Sequence, residues 1–276
     1  MSIEPKDYQE PACPFERCAC GETHPHRHPP RERIPLGDII KECDRLFNAE
    51  KPFELGEHLR KWRARARELG DGEGELSLLS ELMGHYRMTN DRERGLSAIR
   101  DGFALMAELG IDGTVSAGTI YINGATALQA FGEVDEALKY YAEAFRCYND
   151  HLAPDDWRFA GLLNNMAAAY AEKNDIKRAE AYYLKALDVL NACGNRMDTA
   201  VTYVNLAQLY RKADPDDPMI GASLDCAMLC FDDPAAAHDG YYAHTCRKCA
   251  SAFGEFGRAD DERELNRRAD EFYAGH

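Results

Sequence analysis

One period dominates the chain. The segments "GATALQAFGEVDEALKYYAEAF" (124–145) and "MAAAYAEKNDIKRAEAYYLKAL" (166–187) match position by position at a step of 42 residues. Ala125 meets Ala167, Leu128 meets Tyr170, and Gly132 meets Asn174. Ala137, Tyr141 and Ala144 then meet Ala179, Tyr183 and Ala186. One step back, residues 84–103 keep Tyr86, Asn90, Gly95, Ile99 and Gly102 in the same places. One step forward, Asn205, Ala207 and Tyr210 repeat Asn165, Ala167 and Tyr170 at an offset of 40, and residues 249–269 carry Ala250, Phe253 and Gly257 in register. A period of this length points to stacked units, each too small to bury its own apolar face.

Within a unit the apolar spacing is helical and breaks once, so each unit is predicted to be a helix hairpin. Ala125, Ala167, Ala207 and Ala250 fall where one helix must approach another closely. Large residues (Tyr170, Tyr210, Phe253) follow three positions on, about one helical turn away. Gly132, Asn174 and Gly257 suit the turn between the two helices, where a left-handed backbone is tolerated.

This pattern resembles the tetratricopeptide repeat family in its long, 42-residue form. "LLNNMAAAYAEKNDIKRAEAYYLKAL" (162–187) is similar to the repeats of kinesin light chains and related bacterial signalling scaffolds. The resemblance is strong over 76–212 and weaker over 34–75 and 213–273. It implies an all-α right-handed superhelix of about six helix hairpins over 34–276. Residues 34–69 read as a degenerate first hairpin. Pro215, Pro218 and Pro234 disrupt the fifth unit, whose second helix is expected around Ile220–Phe231. Residues 1–33 stand apart as an N-terminal arm rich in Cys, His and Pro.

Asn123, Asn165 and Asn205 occupy one position in three successive units, with Asn164 beside them. Asparagine is a mediocre helix former, because its side chain competes for nearby backbone groups. In the family the first helices line the concave surface, so the resemblance implies a ladder of amides along an inner groove. An amide offers both a donor and an acceptor, and can hold the main chain of an extended peptide. The competing reading is that these amides bond the neighbouring helix.

Arg247 and Lys248 fall at the equivalents of Asn164 and Asn165, and Arg211 and Lys212 end an earlier first helix, as does Arg87. On an inner face these would favour an acidic segment or a free C-terminal carboxylate. The arrangement is similar in spirit to the carboxylate clamp of chaperone-binding tetratricopeptide domains. It lacks that clamp's lysine in the earlier units, where Ile122 and Thr126 stand near Asn123. Pairing with neighbours such as Glu172 and Glu255 is the alternative. The expected ligand site is therefore Asn123, Asn164, Asn165, Asn205, Arg211, Arg247 and Lys248.

The arm holds Cys13, Cys18, Cys20, His24, His26 and His28 within sixteen residues. Thiolate and imidazole are natural ligands for zinc, which wants four. The spacing is not that of a standard finger. A structural zinc knot, an adventitious metal-binding tail, and an arm packing through Phe15 with free thiols all remain open. So does an arm that folds back over the groove. "CRKC" (246–249) falls on packing positions of its unit, so Cys246 and Cys249 read as buried fillers before they read as a redox pair. Cys43, Cys147, Cys193, Cys226 and Cys230 read the same way.

The chain has 33 basic and 48 acidic residues, a net charge of −15. Such a balance opposes general nucleic-acid binding, which needs a basic face. No signal peptide or membrane-spanning run is evident, so a cytoplasmic location is expected. No phosphate-binding glycine loop, H-E-x-x-H or G-x-S-x-G is present. The reading is a protein-interaction scaffold, without enzymatic activity, that binds an extended peptide or acidic tail. The alternatives are a regulatory peptide or metal sensor with the arm as switch, and, lower, a zinc-dependent enzyme.

Overall fold

The computed structural model describes residues 30–275. The six candidate zinc ligands of the arm lie outside the described residues. Among those residues there are twelve α-helices and no strand. They are α1 (Leu36–Asn48), α2 (Pro52–Leu69), α3 (Gly72–Met88), α4 (Arg92–Glu108), α5 (Val115–Ala130), α6 (Val134–His151), α7 (Arg158–Glu172), α8 (Ile176–Cys193), α9 (Arg196–Ala213), α10 (Met219–Phe231), α11 (Gly240–Glu255) and α12 (Ala259–Ala274). They pair in chain order into six hairpins.

The hairpins share one turn, and its chemistry explains the repeat pattern. Glu50, Asn90, Gly132, Asn174 and Gly257 each sit in the left-handed region, with φ of 53°, 53°, 83°, 60° and 75°. The residue after each donates its N–H back to the carbonyl five positions earlier. These bonds are Lys51 to Leu46 (3.0 Å), Asp91 to Tyr86 (2.9 Å), Glu133 to Leu128 (2.9 Å), Asp175 to Tyr170 (2.9 Å) and Arg258 to Phe253 (2.9 Å). This is the Schellman closure, which satisfies the orphan carbonyls of the first helix. Asp91 and Asp175 then cap the second helix, accepting from the N–H of Arg94 and Arg178 at 3.1 Å. The fifth hairpin departs from the rule. Pro215 and Pro218 cannot donate, and Asp214–Pro218 forms a longer turn in which the Asp214 carboxylate accepts from Asp216 N–H at 3.0 Å. Its second helix starts at Met219, one residue from the expected place.

The small residues sit at the close approaches that the spacing requires. Ala125, Ala167, Ala207 and Ala250 are buried, as are Ala137, Ala144, Ala179 and Ala186. Tyr141 and Phe253 are wholly buried, and the Tyr141 hydroxyl reaches back to Gln129 Oε1 of its own hairpin at 3.0 Å. Successive first helices (α3 with α5, α5 with α7, α7 with α9, α9 with α11) touch one another, while successive second helices stand further apart. The stack therefore curves with its first helices on the inner, concave side. The segment entering α1 is fixed by Arg31 N–H on the Leu69 carbonyl (3.0 Å) and Ile34 N–H on the Asp71 carboxylate (2.9 Å).

The cysteines divide. Cys43, Cys147, Cys230, Cys246 and Cys249 are buried fillers. Cys193 is exposed and Cys226 half-buried, so the filler reading fails for Cys193. It lies in the last turn of α8.

Candidate functional site

The inner side of the first helices carries six residues in register. Each lies five positions before the residue that anchors the turn or its equivalent: Lys41, Glu81, Asn123, Asn165, Asn205 and Lys248. Lys41, Glu81 and Lys248 are exposed and the three asparagines half-buried, and Lys41 lies 3.5 Å from Asp38. Their neighbours one turn away on α7 are Gly161 and Ala168, and a Cβ added at Gly161 would meet nothing within 4 Å. The face is thus shallow at its centre and accessible to a main chain.

The expected site residues separate into two groups. Asn123 donates from Nδ2 to Ser80 Oγ on α3 at 2.7 Å. Asn164 donates to the Ala160 carbonyl at 3.1 Å and to Thr202 Oγ1 on α9 at 3.0 Å. Arg211 donates to Glu255 Oε2 at 3.1 Å and to the Glu255 carbonyl at 3.2 Å, with its guanidinium 4.1 Å over the Phe256 ring. Arg247 pairs with Asp270 on α12 at 2.5 Å. These four are engaged within the protein and join one helix to the next. For them the neighbour-bonding alternative describes the geometry. The other three, Asn165, Asn205 and Lys248, make no side-chain hydrogen bond or ion pair among the described residues.

Register explains the difference. Asn123 reaches one position back on the preceding first helix and finds Ser80. The residue equivalent to Ser80 for Asn165 is Ile122, which offers no acceptor. For Asn205 it is Asn164, whose Oδ1 is buried and has no partner among the described residues. An unpartnered buried acceptor costs free energy, so this stretch of the face is the least satisfied part of the inner surface.

A line of inter-repeat bonds borders the column; of these the sequence suggested only the pairing with Glu255, as the alternative to ligand binding. Gln129 donates to Glu172, Arg211 to Glu255, and Lys212 to the Ala171 carbonyl. Tyr241 donates to Asp198 at the other edge. A donor at the end of one first helix and an acid 43 or 44 residues on would have signalled these staples. His244 lies one turn before Lys248 and is exposed.

Protein on several sides, together with the Asp44 carboxylate on α1, holds the Glu81 carboxyl above the usual range. Burial pushes the Cys246 thiol up to about 11 and the Cys249 thiol to about 12. Neither is poised as a nucleophile, and both fill the core between α9 and α11. Among the described residues no cluster of three or more His, Cys, Asp or Glu could hold a metal ion. No described helix is long and apolar enough to cross a membrane.

The outer side offers a different surface. Where α6 and α8 diverge over α7, Phe145, Phe159, Leu163, Met166, Tyr182 and Val189 line a groove of about 550 Å³.

Residues 158–217 match one tetratricopeptide repeat model and residues 118–157 another. Among solved structures the fold is similar to BtubC (BKLC) from P. vanneervenii. That match has 18% identity and a TM-score of 0.53, covering 88% of this chain and 92% of that one. It is also similar to the nearly identical TPR-like repeats of a protein from Podosopora anserina described as a kinesin light chain, at 15% identity and a TM-score of 0.50. There the match covers 77% of this chain and 97% of the other. At such identities the likeness is one of fold. No curated protein matches in sequence. The two repeat models fall on the hairpins where the period is clearest, and α1–α4 and α11–α12 repeat the same hairpin and turn: residues 118–217 are tetratricopeptide repeats, and the described chain as a whole has the fold of a tetratricopeptide-like solenoid.

Proposed function

We propose that the chain is a protein-interaction scaffold that holds an extended peptide along the concave side of its first helices. The observation that carries this reading is the pair Asn165 and Asn205. They are adjacent in the stack, half-exposed on the inner face and without partners among the described residues, beside the Asn164 Oδ1, which has none there either. Amides left free in register bond a main chain without selecting its side chains. Lys248 continues the line and supplies a cation for an acidic group. Arg211 and Arg247 are neutralised by Glu255 and Asp270, which makes a broadly basic, acid-binding groove a poorer description than a mainly amide one.

Paired affinity purification tests the reading. The baits are the wild-type chain, Asn165→Ala/Asn205→Ala, and Asn123→Ala as a control whose amide is already engaged, all matched for helicity and melting. A partner retained by wild type and Asn123→Ala but lost from the double variant supports it. Equal recovery by all three baits overturns it and directs attention to the outer groove at Phe145 and Tyr182.

A further inference from the structure

The three central first helices present no free charge where they face inward. Helix α5 has no charged residue at all. Helices α7 and α9 carry theirs only near their ends: Arg158 and Glu172, then Arg196, Asp198, Arg211 and Lys212. All of these are engaged within the protein. Arg158 pairs with Asp156 at 2.7 Å, Arg196 with Asp233 at 2.6 Å and Arg211 with Glu255 at 3.1 Å. Glu172 accepts from Gln129, Asp198 accepts from Tyr241, and Lys212 donates to the Ala171 carbonyl. Between the helix ends, the positions about one turn either side of the amide column are Thr119 and Thr126 on α5, Gly161 and Ala168 on α7, and Val201 and Gln208 on α9. None of them is charged and none is buried. The column positions on either side of this stretch, Glu81 on α3 and Lys248 on α11, are charged and exposed. With 29% of the chain charged, an open surface across three helices without a free charge belongs to this face and not to the composition.

Resting on the groove reading above, we propose that this stretch takes an uncharged segment of the ligand. Asn165 and Asn205 can bond its main chain, but no side chain beside them can neutralise an Asp, Glu, Lys or Arg. A charged ligand group laid there gives up water and gains no counter-charge, whichever its sign. An apolar or neutral polar side chain carries no such penalty against Thr126, Ala168, Val201 or Gln208. Two steps between first helices, at about 8–10 Å each, span roughly 16–20 Å. At about 3.3 Å per residue that is some five to six residues of extended chain. The ligand is an extended peptide with an uncharged run of that length, and its charges lie outside the run.

The test is selection from a random peptide library displayed on phage, run against four forms of the full chain. These are wild type, Asn165→Ala/Asn205→Ala, Gly161→Lys and Gly161→Glu. A Cβ at Gly161 meets nothing within 4 Å, so the last two put one charge of either sign into the stretch without a clash; circular dichroism confirms equal folding. Wild type should enrich asparagine-dependent peptides that share an uncharged run of about five to six residues. In a resynthesised peptide, Asp or Lys at the centre of the run should each weaken binding to wild type by about tenfold or more. Gly161→Lys should then prefer the Asp peptide over the Lys peptide, and Gly161→Glu the reverse. Asparagine-dependent peptides that carry charges in the run as freely as the starting library overturn this inference and leave the groove reading intact. So does tolerance of a central charge of either sign by wild type, or the same preference in both Gly161 variants. Failure to enrich any asparagine-dependent peptide overturns both.

Discussion

Two glycine-to-alanine substitutions, in α5 and α7, should shift stability in opposite directions. Alanine gains about 1 kcal/mol over glycine inside a helix. At Gly161 the added methyl meets nothing within 4 Å, so that gain stands alone. At Gly118 the methyl would lie 2.6 Å and 2.8 Å from Tyr148 Cε1 and Cδ1, and 3.3 Å from Cys147 Cβ. The ring cannot swing away. Tyr148 is buried, its hydroxyl lies 3.1 Å from Thr119 Oγ1, and its ring packs edge-on to Phe159 at 5.8 Å. Overpacking of this kind costs about 1–3 kcal/mol, which outweighs the propensity gain. Gly161→Ala should therefore be stabilised by up to about 1 kcal/mol, and Gly118→Ala destabilised by about 0–2 kcal/mol. Urea unfolding followed by circular dichroism reads the difference as displacements of the midpoint to either side of wild type, without relying on one melting temperature for a repeat array. Both midpoints moving up would refute the reasoning, because α6 would then not press on α5 at Gly118; both moving down would refute the free gain at Gly161.

Other perturbations probe the first hairpins and the thiols. Glu75 is buried beneath Arg67 (2.6 Å) and Arg63 (3.3 Å), and Arg63 also holds Asp101 at 2.5 Å. Arg67 is largely exposed and can rehydrate, so Glu75→Gln should cost about 1–3 kcal/mol in urea unfolding, below the usual range for a fully buried pair. His85 is buried against Gly56 with Nδ1 unpartnered; burial and the Arg60 charge lower its pKa against a smaller opposing effect of Asp91. The unfolded chain then takes up this proton before the folded one, so stability should fall as pH drops below about 6.5. That part of the pH slope should vanish in His85→Gln. Iodoacetamide labelling at pH 8, mapped by mass spectrometry, should modify the exposed Cys193 well before Cys249. With its pKa pushed up to about 12, Cys249 has roughly a thousandth of the thiolate of an ordinary thiol.

The sequence carried the fold because the fold is repetitive and its turn demands particular residues. Asn90, Gly132, Asn174 and Gly257 stand at left-handed positions that few residue types tolerate, and their recurrence marked the hairpins. Glu50 fills the same position with no such preference, which is why the first hairpin reads as degenerate in the sequence. The buried alanines were readable for a similar reason: close helix approach admits little else. The partners of the inner-face residues were not readable from one unit. Asn123 and Asn165 are equivalent in their own repeats, yet one is engaged and the other free, because Ser80 and Ile122 differ one repeat earlier. Arg211 and Arg247 looked like a ligand site until Glu255 and Asp270 were placed beside them. In a stacked protein the function of a surface residue depends on what the neighbouring unit presents to it.

The central claim is that partners lie along the first helices and not in the outer groove. Site-specific photo-crosslinking tests it most directly, with a photoreactive amino acid at Ala168 on the inner face of α7 or at Lys185, which lines the outer groove from α8 and is exposed. In cell extract the account predicts that Ala168 yields a discrete crosslinked partner, that Asn165→Ala/Asn205→Ala abolishes it, and that Lys185 yields none. A partner crosslinked from Lys185 and not from Ala168 would contradict it.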